Sequence, residues 1–566
     1  MAHADAVSAD RMMSDVRAIT RWTRSAGSPE ELAAARYVEA QLKAMGCSAT
    51  ILMHDAYISL PGEASLTVLA PTRRAVPCVT LAMAASTPEA GLEGDLVYVP
   101  DARPASLAGL SGRIVLVGAK ASPDTAANVD RAGVAAAIFT SGPVIGEMIC
   151  SSVWGSPGEH TVAALPHTPM LSVAQADGES LRGLCAAGPV RVHLRAHVDT
   201  RWTRTPIVIG DLHAGHPDSD PGKYVLFSGH IDSWHKGAMD NASANAVMLE
   251  MMRLFAGRRA DLRRDLRLAF WSGHSHGRYS GSAWYADNCW VDLEQHCVAH
   301  VNIDVVGAMG ADLIVTTAMV ELSALAGWAL ATAAGGTAPV ERMRRTSDES
   351  FWGVGVPSMF GEVSRQPDRS FGWWIHTVDD TVDKIDPARL VRDATIYYLA
   401  LGRLLTDPVV PLDYAATAAD IRTHLETLAQ RCGGKFDLTP ALQAAGELEA
   451  LCGRLNSVRS GAGADWEVTK AANACVHDLG RILIAPTYQI TGRFAHDPGG
   501  ASGFLPTLQP AQRLAALDPD SDAAKFLTVD LARARNEVTH ALRQACRRVE
   551  RFLAQAPTAS AEPVAT

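Results

Sequence analysis

Buried-type strands alternate with helices between residues 201 and 405, and this alternation constrains the fold more than any other feature. Apolar strand segments such as KYVLFSGH, DLRLAFWSG and HVNIDVVG are separated by helical segments such as NASANAVMLEMMRLFAG and VELSALAGWALATAAG. Strands that alternate with helices favour a mixed, mostly parallel sheet with helices packed on both of its faces. We therefore predict an α/β fold for this region.

The length of the chain predicts more than one domain. A chain of 566 residues, 48% of them hydrophobic, is longer than a single core usually supports. Short β-rich segments such as GDLVYV and GRIVLVGA precede the alternating region, and long amphipathic segments follow it. The predicted divisions are residues 1–75 and 200–405 for the α/β domain, residues 76–199 for a smaller inserted module, and residues 406–566 for a helical domain.

Local signals add detail to these divisions. We expect helix over residues 9–45, where Ser28 is a typical N-cap residue and Gly46 a typical stop. The segment DTAANVDRAGVAAAIF, residues 124–139, is also helix-like. Residues 556–566, APTASAEPVAT, have the composition of a disordered tail.

Composition excludes several classes of protein. The formal net charge of -10 arises from mixed acidic and basic residues, and without a basic face we expect no nucleic-acid partner. The N-terminal segment lacks the apolar core of a signal peptide, and no apolar run reaches the roughly 18 residues of a membrane span. The 10 cysteines form no CxxC pair, which predicts reduced thiols rather than disulfides or a cysteine zinc site. We therefore expect a cytoplasmic protein with no membrane partner.

The segment SGHIDSWHKGAMDNAS concentrates metal-binding groups at the end of a predicted strand. His230 ends the strand, and Asp232 follows closely enough to hold the tautomer of its imidazole. Asp240 follows a glycine-containing loop and directly precedes a predicted helix. Taken alone, the segment is more typical of a solvated loop with a capping aspartate and a surface histidine than of a metal site.

Two further segments favour a metal site. Asp304 stands inside the apolar strand VNIDVVG, where a buried charge needs a cation or an arginine, although it could instead cap the strand. His376 follows two tryptophans and precedes the carboxylate-rich turn TVDDTVDKID, although it could instead be a packed core imidazole. Residues that follow the strands of one α/β domain converge on the edge where such sheets bind ligands. The set His230, Asp240, Asp304 and His376 therefore predicts a metal site.

These motifs occur in a recognisable order. The order HxD, DNAS, a strand ending in a catalytic turn, NxD and HTxxDTxDKID resembles the family-28 metallopeptidases, which include co-catalytic zinc aminopeptidases, glutamate carboxypeptidases and the transferrin receptor. The segment RSAGSPEELAAARYVEAQL resembles the opening helix of this family, and residues 76–199 resemble its inserted protease-associated domain. The region from PLDYA through ARARNEVTHAL resembles its helical dimerisation domain, so the resemblance spans nearly the whole chain.

The resemblance implies a role for each matching residue. His230 and Asp304 correspond to ligands of one zinc ion, His376 to a ligand of a second, and Asp240 to the carboxylate that bridges them. Such metals activate a water molecule and polarise the substrate carbonyl. The resemblance thus implies one or two zinc ions, or another divalent transition metal, an amide or peptide substrate, and a homodimer formed through the C-terminal domain.

The stretch FWSGHSHGRYSGS departs from the family pattern. The family carries two adjacent glutamates here, a general base and a ligand of the second zinc, whereas this chain carries His274 and Ser275. An imidazole can accept a proton near neutral pH or ligate a metal, but it cannot easily do both. Because serine is a poor zinc ligand, we expect either weak occupancy of the second position or its ligation by His274 or His276.

Two hypotheses of function follow. The first is a metal-dependent hydrolase, an amidohydrolase or an aminopeptidase- or carboxypeptidase-like metallopeptidase, that cleaves an amide or peptide-like bond with His274 as the catalytic base and Asp232 in support. The four retained ligand positions favour it. The alternative is a catalytically inactive binding or scaffold protein, similar in this respect to the transferrin receptor.

Candidate substrate contacts follow from position in the sequence. Arg278 and Tyr279 come directly after the altered turn and could bind a substrate carboxylate or oxyanion, although a salt bridge within the turn would also explain the arginine. Trp374, with Trp352 and Trp373, could form an aromatic wall, although tryptophans near a core strand more often serve packing.

Overall fold

A long mixed sheet flanked by helices forms the framework of the protein, described here from a computed structural model over residues 7–461, 465–499 and 503–556. The tail predicted to be disordered lies, from residue 557, outside the described residues. The strands are β1 Ser48–Ala70, β2 Arg74–Val76, β3 Val79–Thr80, β4 Leu92–Val99, β5 Ile114–Val117, β6 Ala136–Thr140, β7 Met170–Val173, β8 Arg191–Leu212, β9 Tyr224–His230, β10 Asp265–Trp271, β11 Cys297–Ile303, β12 Leu313–Ile314, β13 Thr316–Ala318, β14 Val340–Arg342, β15 Ser358–Gly361 and β16 Ser364–Arg365.

Helices cover both faces of this sheet and continue into the C-terminal region. They are α1 Ala9–Ile19, α2 Pro29–Ala44, α3 Pro104–Leu107, α4 Pro123–Arg131, α5 Gln175–Ala187, α6 Ser243–Ala256, α7 His274–Gly277, α8 Ser280–Asn288, α9 Trp290–His296, α10 Val320–Ala334, α11 Pro387–Thr406, α12 Tyr414–Arg431, α13 Thr439–Gly461, α14 Trp466–Tyr488 and α15 Asp522–Gln555. The predicted α/β class is confirmed. Among the described residues, no helix is both long enough and apolar enough to span a bilayer.

A two-stranded ribbon joins the central sheet to the inserted module. Strands β1 and β8 pair antiparallel along nearly their whole length, from Ser48 opposite Asp211 to Ala70 opposite Arg191. At one end of the ribbon β8 pairs with β10 of the central sheet, and at the other end it pairs with β4 of the module. The chain therefore enters and leaves the module through adjacent strands. The assignment of the module as a protease-associated domain stays a prediction.

Strand β9 lies at the centre of the functional part of the sheet. It pairs in parallel with β10 on one side and with β11 on the other, and β11 pairs in parallel with β15. Successive side chains of a strand point to opposite faces. Accordingly, Val225 and Phe227 pack into the larger core, while Tyr224 and Leu226 pack into the core on the other face. Because both faces are buried, residues 224–227 are apolar or aromatic on both sides of the strand rather than alternating with polar residues.

The structure corrects two local predictions. Residues 9–45 form two helices rather than one, because the chain breaks between Ile19 and Pro29. The break places Arg24 in the interior, where its guanidinium donates to the carbonyls of Ile231, Lys236 and Gly237 beside the site.

The second correction concerns residues 124–139. Only the first part is helical, because α4 ends at Arg131 and is followed by Gly133, whose φ of 66° is left-handed. The next residues form the buried strand β6, which pairs with β5 and β7. This alanine-rich segment is therefore a strand because it pairs with a neighbouring strand on each side, which outweighs the helical preference of alanine.

Glu321 links the central sheet region to the helical region and carries a pH-dependent prediction. Its carboxyl is buried in the first turn of α10 and accepts a hydrogen bond from Thr417 of α12 at 3.0 Å. Burial raises the pKa of Glu321 to about 7. The folded state therefore binds more protons than the unfolded state between about pH 4.5 and 7, so this group lowers stability as the pH rises through that window.

We expect Glu321→Gln to stabilise the protein at pH 8, by on the order of 3 kcal/mol, and to change little at pH 4. Urea denaturation at the two pH values measures the difference. Thr417→Val is the matched control, because it removes the hydrogen bond but keeps the carboxyl and should destabilise at both pH values. A gain for Glu321→Gln that is equal at pH 4 and pH 8 would contradict the assignment.

Candidate metal centre

The predicted site residues follow neighbouring parallel strands. His230 is the last residue of β9, Asp304 directly follows β11, and the turn that contains His274 follows β10. Because β9, β10 and β11 are parallel neighbours, their carboxyl ends meet at one edge of the sheet. The structure thus brings three segments together that are far apart in the sequence.

Asp240 lies at the centre of this edge. One carboxylate oxygen, Oδ1, is 3.0 Å from His230 Nε2, and the other, Oδ2, is 3.1 Å from His376 Nε2. Each oxygen of a single carboxylate therefore faces a different imidazole. This is the arrangement expected of the bridging role that the sequence resemblance implies for Asp240, a role that stays a prediction.

A second carboxylate holds Asp240 in position. Asp240 lies in an irregular segment, Ala238–Ala242, directly before α6. The side chain of Asp380 accepts hydrogen bonds from the main-chain N–H groups of Met239 and Asp240, at 2.8 and 3.0 Å. Burial, followed by the charge of Asp240, raises the pKa of Asp380 to about 7.

The half of the site formed by His230 and Asp304 contains buried atoms without hydrogen-bond partners. Asp304 Oδ1 lies 3.3 Å and Asp240 Oδ1 lies 3.0 Å from His230 Nε2, but within the described ranges neither His230 Nε2 nor Asp304 Oδ1 makes a hydrogen bond of suitable geometry. The other oxygen, Asp304 Oδ2, accepts a hydrogen bond from Ser347 Oγ at 3.1 Å. Buried polar atoms are normally satisfied, so these two fit a bound cation. Ligand atoms of His230, His274 and Asp304 lie within 4.8 Å of one another.

The electrostatics of the site also favour a cation. Burial alone would raise the pKa of Asp240, but its contacts with His230 and His376 hold the pKa well below the usual range. Burial alone would lower the pKa of His230, but the charge of Asp304 and contacts with neighbouring carboxylates raise it. The imidazoles therefore compensate part of a concentrated negative charge, which is the role a divalent ion would also fill.

The inserted module orients His376. The Nδ1 atom of His376 lies 3.2 Å from the main-chain oxygen of Glu147, and the Glu147 N–H donates to the main-chain oxygen of His376 at 2.9 Å. The side chain of Glu147 pairs with His235 Nε2 at 2.9 Å. A contact of Nδ1 with a carbonyl leaves Nε2 directed at Asp240, so the module takes part in the site.

The turn after β10 is fixed by Asp232. Its carboxylate accepts the main-chain N–H groups of His274 and Ser275, at 3.2 and 2.9 Å, and its own main-chain oxygen lies 2.9 Å from His230 Nδ1. Gly273 has a φ of 72°, and a Cβ there would collide with Ser280 Oγ. The turn therefore requires glycine at this position.

His274 has a carboxylate partner of its own. Its Nδ1 lies 2.8 Å from Oδ2 of Asp348, whose Oδ1 accepts a hydrogen bond from Ser282 Oγ at 2.7 Å. The ring of His274 stacks on that of His230, with centroids 3.8 Å apart and planes 14° apart. His274 and His230 thus lie side by side at the edge of the sheet formed by the carboxyl ends of the parallel strands.

Sequence reasoning missed three contributing carboxyl groups. Asp380 is the first aspartate of the motif HTxxDTxDKID after His376, so the sequence marked this residue, but it gave Asp380 no role in holding Asp240. Asp348 and Glu147 lie in loops without periodicity, and Glu147 comes from the inserted module. No local pattern of the sequence identified either of them.

A cavity of about 630 Å³ opens above the site. Arg278 and Tyr279 line it, and the Tyr279 hydroxyl accepts a hydrogen bond from Arg278 at 3.0 Å, while their contact with a substrate stays a prediction. The geometry does not support the same role for Trp374, which is buried and donates to Met239 Sδ. Its neighbour Trp373 lines the cavity instead, while Trp352 is buried against Tyr488.

Comparison with known proteins identifies the central part of the chain. Residues 208–399 match the model of Peptidase family M28. These residues are a peptidase family M28 domain. The M28 domain contains His230, Asp240, Asp304, His376 and the altered turn, whereas Glu147 lies outside it.

The relatives of the M28 domain are peptidases. A probable glutamate carboxypeptidase of Zea mays is 25% identical over 516 residues, which cover 73% of this chain and 69% of the maize protein. The aminopeptidase from Aneurinibacillus sp. strain AM-1 is similar in structure, with a TM-score of 0.54 and 24% identity, over 71% of this chain and 95% of that chain. The zinc aminopeptidase of Bacillus subtilis has a TM-score of 0.56 and 19% identity over 71% and 96% of the two chains. These two structures show that the fold is shared.

We expect the purified protein to carry at least one divalent metal ion, with zinc as the expected element because His and Asp ligands are typical of zinc sites. Elemental analysis after purification without added metal measures the content. Asp240→Ala should lower it several-fold, because Asp240 contacts both His230 and His376. Free zinc at about 100 times its Kd should add about 2.7 kcal/mol to the free energy of unfolding.

Asp379→Ala is the matched control, since this aspartate lies three residues from His376 and, among the described residues, its side chain does not contact Asp240. It should keep the metal content of the unmodified chain. Less than about half an equivalent of any transition metal, unchanged in Asp240→Ala, would contradict the site.

Proposed function

We propose that the protein is a metal-dependent hydrolase that cleaves an amide or peptide-like bond, with zinc as the metal. The observation that carries the proposal is the Asp240 carboxylate, whose two oxygens face His230 and His376, beside Asp304 Oδ1, which makes no hydrogen bond to any described residue. The peptidase relatives of the M28 domain support the same reaction class. The cavity above the carboxylates offers room for a small peptide or a modified amino acid.

Different residues of the site would take different roles in the proposed reaction. His230, Asp240 and Asp304 would hold the metal, which supplies Lewis-acid activation of water and of the substrate carbonyl. His274 lines the cavity next to these residues and is in reach to accept the proton of the attacking water. The same imidazole would then return that proton to the leaving amine.

The contact with Asp348 supports the proposed role of His274. When Nδ1–H donates to Asp348, the Nε2 of the ring keeps its lone pair free to accept a proton. Asp348 is itself buried and held by Ser282, so it fixes both the tautomer and the orientation of the ring. Asp348 is thus a positioning residue rather than a catalytic one.

Arg278 supports a substrate that carries a carboxylate. Its side chain lines the cavity, its guanidinium lies 4.6 Å from the centre of the Tyr279 ring, and its Nε is buried without a hydrogen-bond partner among the described residues. An arginine held by aromatic rings with donors left over suits bidentate carboxylate recognition. The name of the maize relative, a probable glutamate carboxypeptidase, is compatible with such a substrate.

The loss of the family's glutamate pair favours a second candidate function. A chain with His274 and Ser275 in those positions could bind a peptide without cleaving it, as an inactive scaffold. Turnover separates this candidate from the hydrolase, because both would bind metal and ligand.

His274→Ala should lower kcat by about 10²- to 10⁴-fold with unchanged metal content, because it removes the proton acceptor but no metal ligand. A screen of amide and peptide substrates provides the activity, and elemental analysis provides the metal content. Asp348→Asn should lower kcat less, because the imidazole remains but loses its fixed tautomer. His276→Ala, two residues further along the same turn and outside the cavity lining, serves as the control.

His274→Glu combined with Asp348→Asn tests whether the site has exchanged one base for another. The double variant restores a carboxylate base without placing it against a second carboxylate, so it should recover part of the activity lost in His274→Ala. Loss of metal in His274→Ala would make His274 a ligand instead. Full activity in His274→Ala would exclude both roles.

We also propose a homodimer formed through the helical region. Helix α15 exposes Phe526 and Val529, which are 73% and 49% exposed and lie three residues apart on one helix face. Light scattering should give about twice the chain mass of 60.1 kDa, and Phe526→Asp should shift the mass toward the monomer. A folded monomer of the unmodified chain at micromolar concentration would contradict the dimer.

A further inference from the structure

The two halves of the metal centre differ in how many ligands they offer. On one side, His230 Nε2 lies 3.0 Å from Asp240 Oδ1 and 3.3 Å from Asp304 Oδ1, and ligand atoms of His230 and Asp304 lie close to that of His274. On the other side, Asp240 meets His376, and the family's second glutamate is replaced by Ser275. A second metal on this side would therefore depend on what Ser275 or a neighbour can supply.

Ser275 itself does not supply a ligand. Zinc in proteins is bound by thiolate, imidazole and carboxylate groups, and a neutral hydroxyl is not among them. The Ser275 hydroxyl is buried and has no hydrogen-bond partner in the described part of the chain. Its main-chain N–H is fixed to Asp232 Oδ2 at 2.9 Å, which holds this short side chain in place.

The two neighbouring histidines, which could in principle ligate a second metal, make contacts in other directions. The ring of His276 packs on Trp234, and its Nδ1 lies 3.5 Å from the N–H of Ala26 and 3.8 Å from Asp232. The ring of His274 stacks on His230 and thus belongs to the other half. Neither histidine is directed at His376 by these contacts.

The inserted module does not supply the missing ligand for a second metal either. The carboxylate of Glu147 pairs with His235, and its contacts with His376 are made by the main chain. Ligand atoms of His230, His274 and Asp304 lie within 4.8 Å of one another, and no comparable group that includes His376 is found among the described residues. Beyond His376 and Asp240, the contacts of the neighbouring described residues therefore leave no further carboxylate or imidazole directed at a second metal ion.

We propose that this chain holds one metal ion, on the His230 side, and that Ser275 removes the second position found in co-catalytic relatives. The contact between His376 Nε2 and Asp240 Oδ2 then takes the place of the second metal in compensating the Asp240 carboxylate. This inference rests on the proposed function only in assuming that the His230 side binds a metal. Under this proposal, the single side chain of Ser275 accounts for the difference between a two-metal centre and a one-metal centre.

Metal stoichiometry tests the inference without any measurement of activity. Zinc titration calorimetry and elemental analysis of the full chain should both give one equivalent. His376→Ala should keep that equivalent, whereas His230→Ala should lose it. Ser275→Glu should raise the stoichiometry to two, because it restores a carboxylate opposite His376, and Ser275→Gln, of the same size but uncharged, should stay at one.

The possible failures are distinguishable. Two equivalents in the unmodified chain, or loss of the bound metal in His376→Ala, would overturn the inference and leave the proposed hydrolase standing. No metal in the unmodified chain would overturn the proposed function itself. If Ser275→Glu does not fold, as judged by circular dichroism, the comparison of the unmodified chain with His376→Ala still decides the matter.

Discussion

The burial of carboxylates at the carboxyl ends of parallel strands is the constraint around which the structure is arranged. Asp232, Asp240 and Asp380 are all at most 3% exposed, and an isolated buried charge is costly. Asp232 and Asp380 are compensated by main-chain N–H groups, and Asp240 by two imidazoles. Among the residues that the structure describes, Asp304 Oδ1 is left without a hydrogen-bond partner, so the proposed metal position is where this compensation is incomplete.

The same carboxylates fix the loops that carry the chemistry. Asp232 binds the turn of His274, and Asp380 binds the segment of Asp240, so each loop is held by an acid from a different part of the chain. The inserted module adds a second layer of contacts, since Glu147 holds His376 and Trp154 donates to Ser350 at 2.8 Å. Geometry at the centre therefore depends on docking of the module and not on the central sheet alone.

The sequence predicted those parts of the site that have local signals. His230 and Asp304 end apolar strands, and such strands in an α/β pattern point to one edge of a sheet. The partners of these residues gave no local signal, because Asp348 contacts His274 across 74 residues and Glu147 contacts His376 across 229. The sequence could not show that Trp373 rather than Trp374 lines the cavity. The irregular segment that carries both tryptophans has no periodicity to separate buried from exposed side chains. The predicted division after residue 199 falls inside β8, because one strand serves two parts of the sheet.

His274 and Ser275, which stand where the family carries two glutamates, are chemically compatible with the residues around them. A glutamate at position 274, with Asp348 nearby, would bring two buried carboxylates together, whereas an imidazole there turns Asp348 into a hydrogen-bond partner at 2.8 Å. The loss of the second carboxylate at position 275 reduces the negative charge that a second cation would have balanced. Asp348 is buried and contacts both His274 and Ser282. A carboxylate that fixes the imidazole in this way supports the proposed hydrolase over the proposed inactive scaffold.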